Sequence, residues 1–350
     1  MSIVEINNLV KKYGDNVAVN DLSLNIDSKG VYGFLGPNGA GKSTTMNVLT
    51  GYIGATSGTV IINGYDIFKE PEEAKKNVGY LPEIPPLYQD MTVYEYLEFV
   101  SKIKKIKKKE RKACIEQSLE MTRTTEVRER LIRNLSKGYK QRVGIAQAIM
   151  GMPDLIILDE PTVGLDPKQI IEIRDLIRNL GKEHTVILSS HILTEISEVC
   201  ENIFIISQGK LVASGREEEL IEELAGENRI EAIIKGDANE IENILDKFGC
   251  KHSIETLDDE KCKAQIVTSR DIDIREGLFF ALAEKKMPLL ELKFKTKSLE
   301  DLFIELTTEY KAQPKKKGLK FKKKNSEKLD DKNLADNLKN EEKEVQEVEK

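Results

Sequence analysis

Three groups of residues have types and spacings that could do chemistry. The first is Gly36-Pro37-Asn38-Gly39-Ala40-Gly41-Lys42-Ser43, which fits the pattern Gly-x4-Gly-Lys-Ser/Thr. Glycines there let the backbone curl so that successive N–H groups point inward, and a following helix adds its partial positive end. Lys42 would reach the outer phosphates of a nucleoside triphosphate, the Ser43 hydroxyl would hold a magnesium ion, and Thr44 lies beside them in the same site. The second group is Asp159-Glu160, consecutive carboxylates at the end of the apolar run Leu155–Leu158. Neighbouring side chains at a strand end point to different sides, so the two can hold different jobs. Asp159 would accept from magnesium or its waters, and Glu160 would polarise a water for attack on the γ-phosphate. The third is His191, which follows Ser189-Ser190; taken alone, such a histidine can equally be structural.

These positions require particular elements around them. Val31–Leu35 is a short apolar run, β-branched and aromatic at its start, and reads as a buried strand; a helix follows from about Ser43 through Leu49, and Gly51 stops it. Apolar strands at 155–158, 185–188 and 203–206, with a helix over 167–180 between the first two, alternate as a parallel sheet requires. Ligands of such sheets sit beyond the carboxyl ends of the strands. Gly36, Asp159 and His191 all fall at such ends, so the sequence brings them to one edge. Residues 3–9, 22–26 and 58–62 read as a small antiparallel sheet beside the loop. Between the first two stands Tyr13, which can stack on a purine face or simply lie on the surface.

Residues 78–97 contain Pro82, Pro85 and Pro86, which forbid regular structure there, and Thr92 then caps a helix starting at Val93. A long irregular loop inside a compact domain is usually functional or disordered. Helices at about 93–103 and 109–121 carry a lysine cluster, Lys102 to Lys112. A solvated face is the simpler reading of that cluster, ahead of lipid headgroups or nucleic acid, because no aromatic residues are interleaved with it. Residues 134–152 read as one helix with an apolar stripe, Ser136 as its N-cap and Pro153 after its end.

At 350 residues the chain exceeds one ordinary domain. A net charge of −6 argues neither for nor against nucleic acid, and four widely separated cysteines read as reduced thiols rather than metal ligands. The N-terminus lacks the apolar core of a signal peptide, and no run approaches the ~20 apolar residues that span a bilayer, so a soluble protein is expected. From about 226 the order βαββαβ (strands 229–235, 252–256, 262–268 and 288–294) is the ferredoxin-like pattern, with a last helix at 298–308. Residues 311–350, with a lysine run from Lys315 to Lys324, are too polar to offset their ordering entropy and read as a disordered tail, solubilising or tethered to anionic lipid.

Over residues 1–220 the chain resembles the ATP-binding cassette family, the ATPase subunits of membrane transporters. The resemblance rests on GPNGAGKS, LSKGYKQR at 135–142, LIILDEP at 155–161, GLDP at Gly164–Pro167 and His191 after two serines, all in the family's order. It implies a P-loop α/β cassette: a mixed sheet with a parallel core, an antiparallel β subdomain and a helical subdomain at about 84–152, all within 1–225. A small α+β ferredoxin-like accessory domain at 226–310 and the charged tail at 311–350 follow. It implies ATP and Mg2+ as ligands, with Ser43, Asp159 and, in the Pro-rich loop, Glu83 toward the metal. Ser136 and Gly138 of one subunit would cap the triphosphate held by the partner's phosphate loop; the positive end of a helix there agrees with that. Asp166 would couple the two sites, and His191 would contact the γ-phosphate and the attacking water. One cassette per chain then implies a second ATPase subunit, identical or not, and a membrane-embedded permease, at the cytoplasmic face of the membrane and without nucleic acid. LSKGYKQR, SLEDLF near 298–303 and the accessory part look most like exporters of the drug-resistance and gliding-motility branch.

Two departures from the family pattern matter. The signature usually has glycine at the positions of both Lys137 and Gly138 and then glutamine where Tyr139 stands, and the Pro-rich loop usually has glutamine where Glu83 stands. The rival classes are a soluble cassette ATPase acting on ribosomes or DNA, which typically pairs two cassettes in one chain, and a nucleotide-binding regulator without turnover.

Overall fold

In the computed structural model, which describes residues 2–224, 227–258, 260–269, 272–295 and 298–312, the chain opens with β1 (Val4–Tyr13) and β2 (Asn16–Ile26) around a tight turn at Gly14-Asp15. Alternation buries Val4 and Ile6 on one face of β1, and the register shift between Ile6 and Leu9, where Asn8 has φ +49, returns Leu9 to the buried side. β3 (Gly30–Leu35) is buried throughout, and α1 (Lys42–Leu49) starts six residues beyond Gly36. β4 (Ser57–Ile62) and the short β5 (Tyr65–Asp66) complete a four-stranded antiparallel sheet in the order β2-β1-β4-β5.

After α2 (Pro71–Lys76) comes β6 (Val78–Leu81), a strand that the proline-rich reading of 78–97 does not anticipate. It ends immediately before Pro82, whose missing N–H would interrupt the ladder. Then α3 (Val93–Ile103), α4 (Lys108–Met121) and α5 (Lys137–Ile149) form a helical layer whose shared core includes Leu97, Ile115, Leu119, Val143 and Ala146. Thr92 and Glu95 form a full capping box at the start of α3. The expected helix 134–152 is shorter. Residues 132–134 make a single 3-10 turn, Leu135 is extended, and the Ser136 hydroxyl accepts the Tyr139 N–H, so the helix begins only at Lys137.

The second sheet runs β10-β9-β3-β8-β7-β6, built from β7 (Leu155–Asp159), β8 (Thr185–Ser190), β9 (Asn202–Ser207) and β10 (Lys210–Gly215). All its pairings are parallel except the β9–β10 hairpin, which turns at Gln208-Gly209. One face packs on the antiparallel sheet and α1, with Phe34, Ile157, Ile187 and Ile206 against Ile6, Leu22, Met46 and Ile62. The other face is covered by α6 (Pro167–Gly181), α7 (Leu193–Ser197) and α8 (Glu217–Leu224) through Ile173, Ile177, Ile196 and Leu220. Each such buried side chain contributes about 1.5–3 kcal/mol. This is the cassette-type P-loop fold.

A third sheet follows in the order β12-β13-β11-β14, fully antiparallel. Its elements are β11 (Glu227–Lys235), α9 (Ala238–Asp246), β12 (Lys251–Asp258), β13 (Lys261–Ser269), α10 (Arg275–Glu284) and β14 (Leu289–Lys295). Both helices cover one face, burying Ile230, Ala264 and Ile266 against Ile241, Leu245 and Leu278. The last helix, α11 (Leu299–Ala312), packs on α8 and β9 instead, with Leu299 in the core of the second sheet. The disordered tail expected from 311 lies, beyond Ala312, outside the described residues. The four cysteines are free thiols. Among the described residues no helix is long and apolar enough to cross a membrane.

Candidate functional site

The phosphate loop joins the carboxyl end of β3 to α1. Gly41 has φ +104, and a Cβ there would stand 2.5 Å from the Ala18 carbonyl oxygen, so only glycine lets the loop turn into the helix against β2. The Lys42 side chain is buried. Its ammonium donates to the carbonyl oxygens of Gly36 at 2.8 Å and Pro37 at 3.4 Å, and lies 3.5 Å from Glu160 Oε1. Ala40 is buried beneath the loop.

Asp159 and Glu160 point to different places, as alternation at a strand end dictates. Asp159 accepts from the hydroxyls of Ser43 (3.3 Å) and Ser189. Glu160 has φ +48, a sparsely populated conformation for a residue with a side chain and one that functional sites hold at a cost. Its N–H donates to the Ser189 carbonyl (3.2 Å) and hydroxyl (3.1 Å), which fixes the turn. Its carboxylate then lies between Lys42 and His191, whose Nδ1 is 2.9 Å from Oε2 and 3.1 Å from Oε1. Below Asp159, the Tyr80 hydroxyl donates to Asn47 Oδ1 at 3.1 Å. Burial, with the Asp159 charge adding to it, pushes that phenol up to about 12.

These groups border a cleft of about 770 Å³ whose walls carry Asn38, Gly39, Gly41, Lys42, Ser43, Thr44, Glu83, Glu160 and His191. Tyr13 lies half-exposed in its wall with Lys11 Nζ 5.0 Å above the ring. Glu83 is exposed. Ser43 and Asp159 stand together at the foot of the loop, a hydroxyl and a carboxylate of the kind magnesium takes beside phosphate and water. Among the described residues no three His, Cys, Asp or Glu side chains are grouped to hold a metal by themselves.

The remaining expected residues are elsewhere. Ser136 and Gly138 line a separate polar cavity of about 420 Å³ with Arg142, Gln169 and Glu172. Asp166 caps α6, accepting the Gln169 N–H at 2.9 Å. Conversely, Ser189 escapes the sequence reading although its hydroxyl donates to the Asp159 carboxylate and accepts the Glu160 N–H. Only the register of the folded sheet, which places it directly across from Asp159 on the neighbouring strand, reveals it. Asn16, Ala18 and Gln208 also border the cleft, and nothing in their types marks them.

Comparison with known proteins places the chain in a family. Residues 19–163 match the family described as ABC transporter. The bacitracin transport ATP-binding protein BcrA of Bacillus licheniformis is 42% identical over 213 residues, 60% of this chain and 69% of BcrA. The linearmycin resistance ATP-binding protein LnrL of Bacillus subtilis (strain 168) is 32% identical over 306 residues, 87% of this chain and 98% of LnrL. An ATP-binding cassette solved as a dimer, in a post-hydrolysis state bound to ADP and Pi, superposes with a TM-score of 0.55 at 26% identity, covering 61% of this chain and 98% of that one. The chain therefore belongs to the ABC transporter family as one of its ATP-binding, ATP-hydrolysing subunits.

Proposed function

We propose that the chain drives a separately encoded membrane permease, as an exporter subunit, by ATP-dependent closure of a two-protomer assembly at the cytoplasmic face of the membrane. One observation carries this reading. The nucleotide cleft holds Lys42, Ser43, Glu160 and His191, while Ser136 and Gly138 line a different cavity of the same chain. A triphosphate in the cleft therefore meets a signature helix only if a second protomer supplies it. The dimeric likeness bound to ADP and Pi supports the same arrangement.

Within that assembly the backbone N–H groups of Asn38 to Thr44 and the Lys42 ammonium hold the phosphates, and Tyr13 stacks on the purine. Ser43 and Asp159, with Glu83 from the Pro-rich loop, hold Mg2+, which neutralises phosphate charge. Glu160 orients and deprotonates the attacking water, and His191, held by Glu160 at Nδ1, offers Nε2 to the γ-phosphate. Ser136 and Gly138 close on the γ-phosphate from the partner, and Asp166 links the two sites.

The permease is proposed to dock at the Pro-rich loop. An apolar groove of about 510 Å³ lies there, lined by Tyr52, Tyr80, Pro82, Pro86, Lys104 and Gln147. Tyr52 and Ile84 beside it are 78% and 81% exposed, more apolar surface than a subunit working alone needs. The Tyr96 hydroxyl donates to the Pro86 carbonyl at 3.2 Å and contacts Gln147 on α5, so a push on the loop reaches the signature helix. The names of LnrL and BcrA, a resistance and a transport protein, favour export. Sedimentation of Glu160→Gln with ATP tests the reading: an ATP-dependent dimer is expected, and a monomer at all ATP concentrations would overturn it.

A further inference from the structure

Of the departures from the family pattern, Tyr139 lines one cavity, while the two charged ones, Glu83 and Lys137, together line another. It measures about 230 Å³ and lies between the Pro-rich loop and the start of α5, with Pro85, Gln141 and Val163 among its walls. Glu83 and Val163 also border the nucleotide cleft, so the two cavities meet at these residues. These two departures carry opposite charge: a carboxylate replaces a neutral amide, and an ammonium replaces a hydrogen. Both side chains are exposed, and neither has an ion-pair partner among the described residues.

Lys137 is not simply extended into water. Its ammonium rests against Gly164, which has φ +70; a Cβ at Gly164 would stand 2.1 Å from Nζ. The missing Cβ makes the room that keeps the lysine directed along its own chain. Lys137 is also the first residue of α5, at the positive end of a helix with no acidic residue in its first turn. A cation there is unfavourable unless an acid from another element answers it, and Glu83 is the acid that shares its cavity.

We infer that Lys137 and Glu83 are a compensating charge pair, positioning residues that set the start of α5 against the Pro-rich loop as ATP closes the dimer. The Glu83 carboxylate brings to the mouth of the cleft a negative charge that the usual glutamine lacks; paired with Lys137 it keeps its place toward the metal while the pair as a whole is neutral, as glutamine is. Lys137 thus acts on nucleotide through Glu83. The inference rests on the two-protomer reading above.

The test is a double-mutant cycle in the Glu160→Gln background, following by sedimentation the Mg-ATP concentration that half-dimerises the chain. Lys137→Met is expected to raise that concentration about fivefold when Glu83 is present, the upper range for an exposed ion pair. It should raise it less than about twofold when Glu83→Gln is also present, and Lys137→Arg should stay within about twofold of native. The fivefold effect should shrink in high salt. A Lys137 that merely packs on Gly164 gives the same factor with and without Glu83, and that result, or no shift, overturns the pair. If Glu160→Gln alone fails to dimerise with ATP, the two-protomer reading falls first and the pair with it.

Discussion

The His191 ring spans the ends of β7 and β8, with Nδ1 2.9 Å from Glu160 Oε2 and 3.1 Å from Oε1. Lys42 approaches the same carboxylate from the phosphate loop at 3.5 Å. Glu160 is therefore held from two sides on a strained backbone, which orients a base without neutralising its hydrogen-bonding capacity. Replacing it by glutamine keeps the shape and removes the base. Glu160→Gln is expected to lose about 10²–10⁴-fold in ATP turnover while still binding ATP. His191→Ala should also slow turnover with little change in ATP affinity. Phosphate release measured beside nucleotide binding checks both, and undiminished turnover in Glu160→Gln would refute the assigned base.

Lys42 bears on binding more directly than on chemistry. Its ammonium is buried and already turned to the loop carbonyls, so a triphosphate meets a preset charge. Lys42→Ala should weaken ATP binding by about tenfold to a hundredfold, the worth of charge-assisted hydrogen bonds. Calorimetric titration reads this, and equal affinity would remove the loop from the site.

Tyr13 offers a half-exposed ring in the wall of the cleft. If the ring stacks on the base, Tyr13→Ala should weaken ATP and GTP alike by about threefold to tenfold, and Tyr13→Phe should bind as the native chain does. An equal loss in Tyr13→Phe and Tyr13→Ala would point to the hydroxyl instead.

Lys104 predicts a pH dependence of stability. Its ammonium donates to the Ala148 and Met150 carbonyls (3.1 and 2.8 Å) at the end of α5; the residue as a whole is exposed, but desolvation around that ammonium pushes it down to about 8 from its ordinary 10.5. Between those values the unfolded chain binds more protons than the folded one, so this lysine makes stability rise with pH across that window. In urea unfolding, the native chain should gain stability relative to Lys104→Met between pH 8 and pH 10, by less than a fully buried lysine would because its side chain is open to water, and only the native chain carries this titration. Parallel stability curves would show that Lys104 titrates normally.

Much of this site was legible in residue types. Gly41, Lys42, Ser43 and Asp159-Glu160 announce phosphate and metal chemistry because few other residues can do it, and the Thr92–Glu95 box marks the first residue of α3. The hidden parts depend on what lies opposite. Ser189 matters only because register sets it across from Asp159, and a serine in an apolar strand carries no mark of its partner. β6 is four residues running into a proline, too short to show a period, and β10 is only partly buried, so its alternation is faint. The start of α5 was misplaced because 132–134 already turns helically before Ser136 resets the chain. That Ser136 and Gly138 sit apart from the cleft is a fact of tertiary structure, visible only once the chain is folded.

Mixing two inactive variants tests most directly whether the site is shared between protomers. Lys42→Ala spoils the phosphate loop and leaves the signature intact; Gly138→Asp does the reverse. Each alone should be nearly inert, whereas a mixture contains dimers with one intact site, made of one protomer's phosphate loop and the other's Ser136 and Gly138. Turnover should recover on mixing, in proportion to the mixed dimers formed. If the native chain hydrolyses ATP on its own but the mixture stays inert at every ratio, the shared site is contradicted.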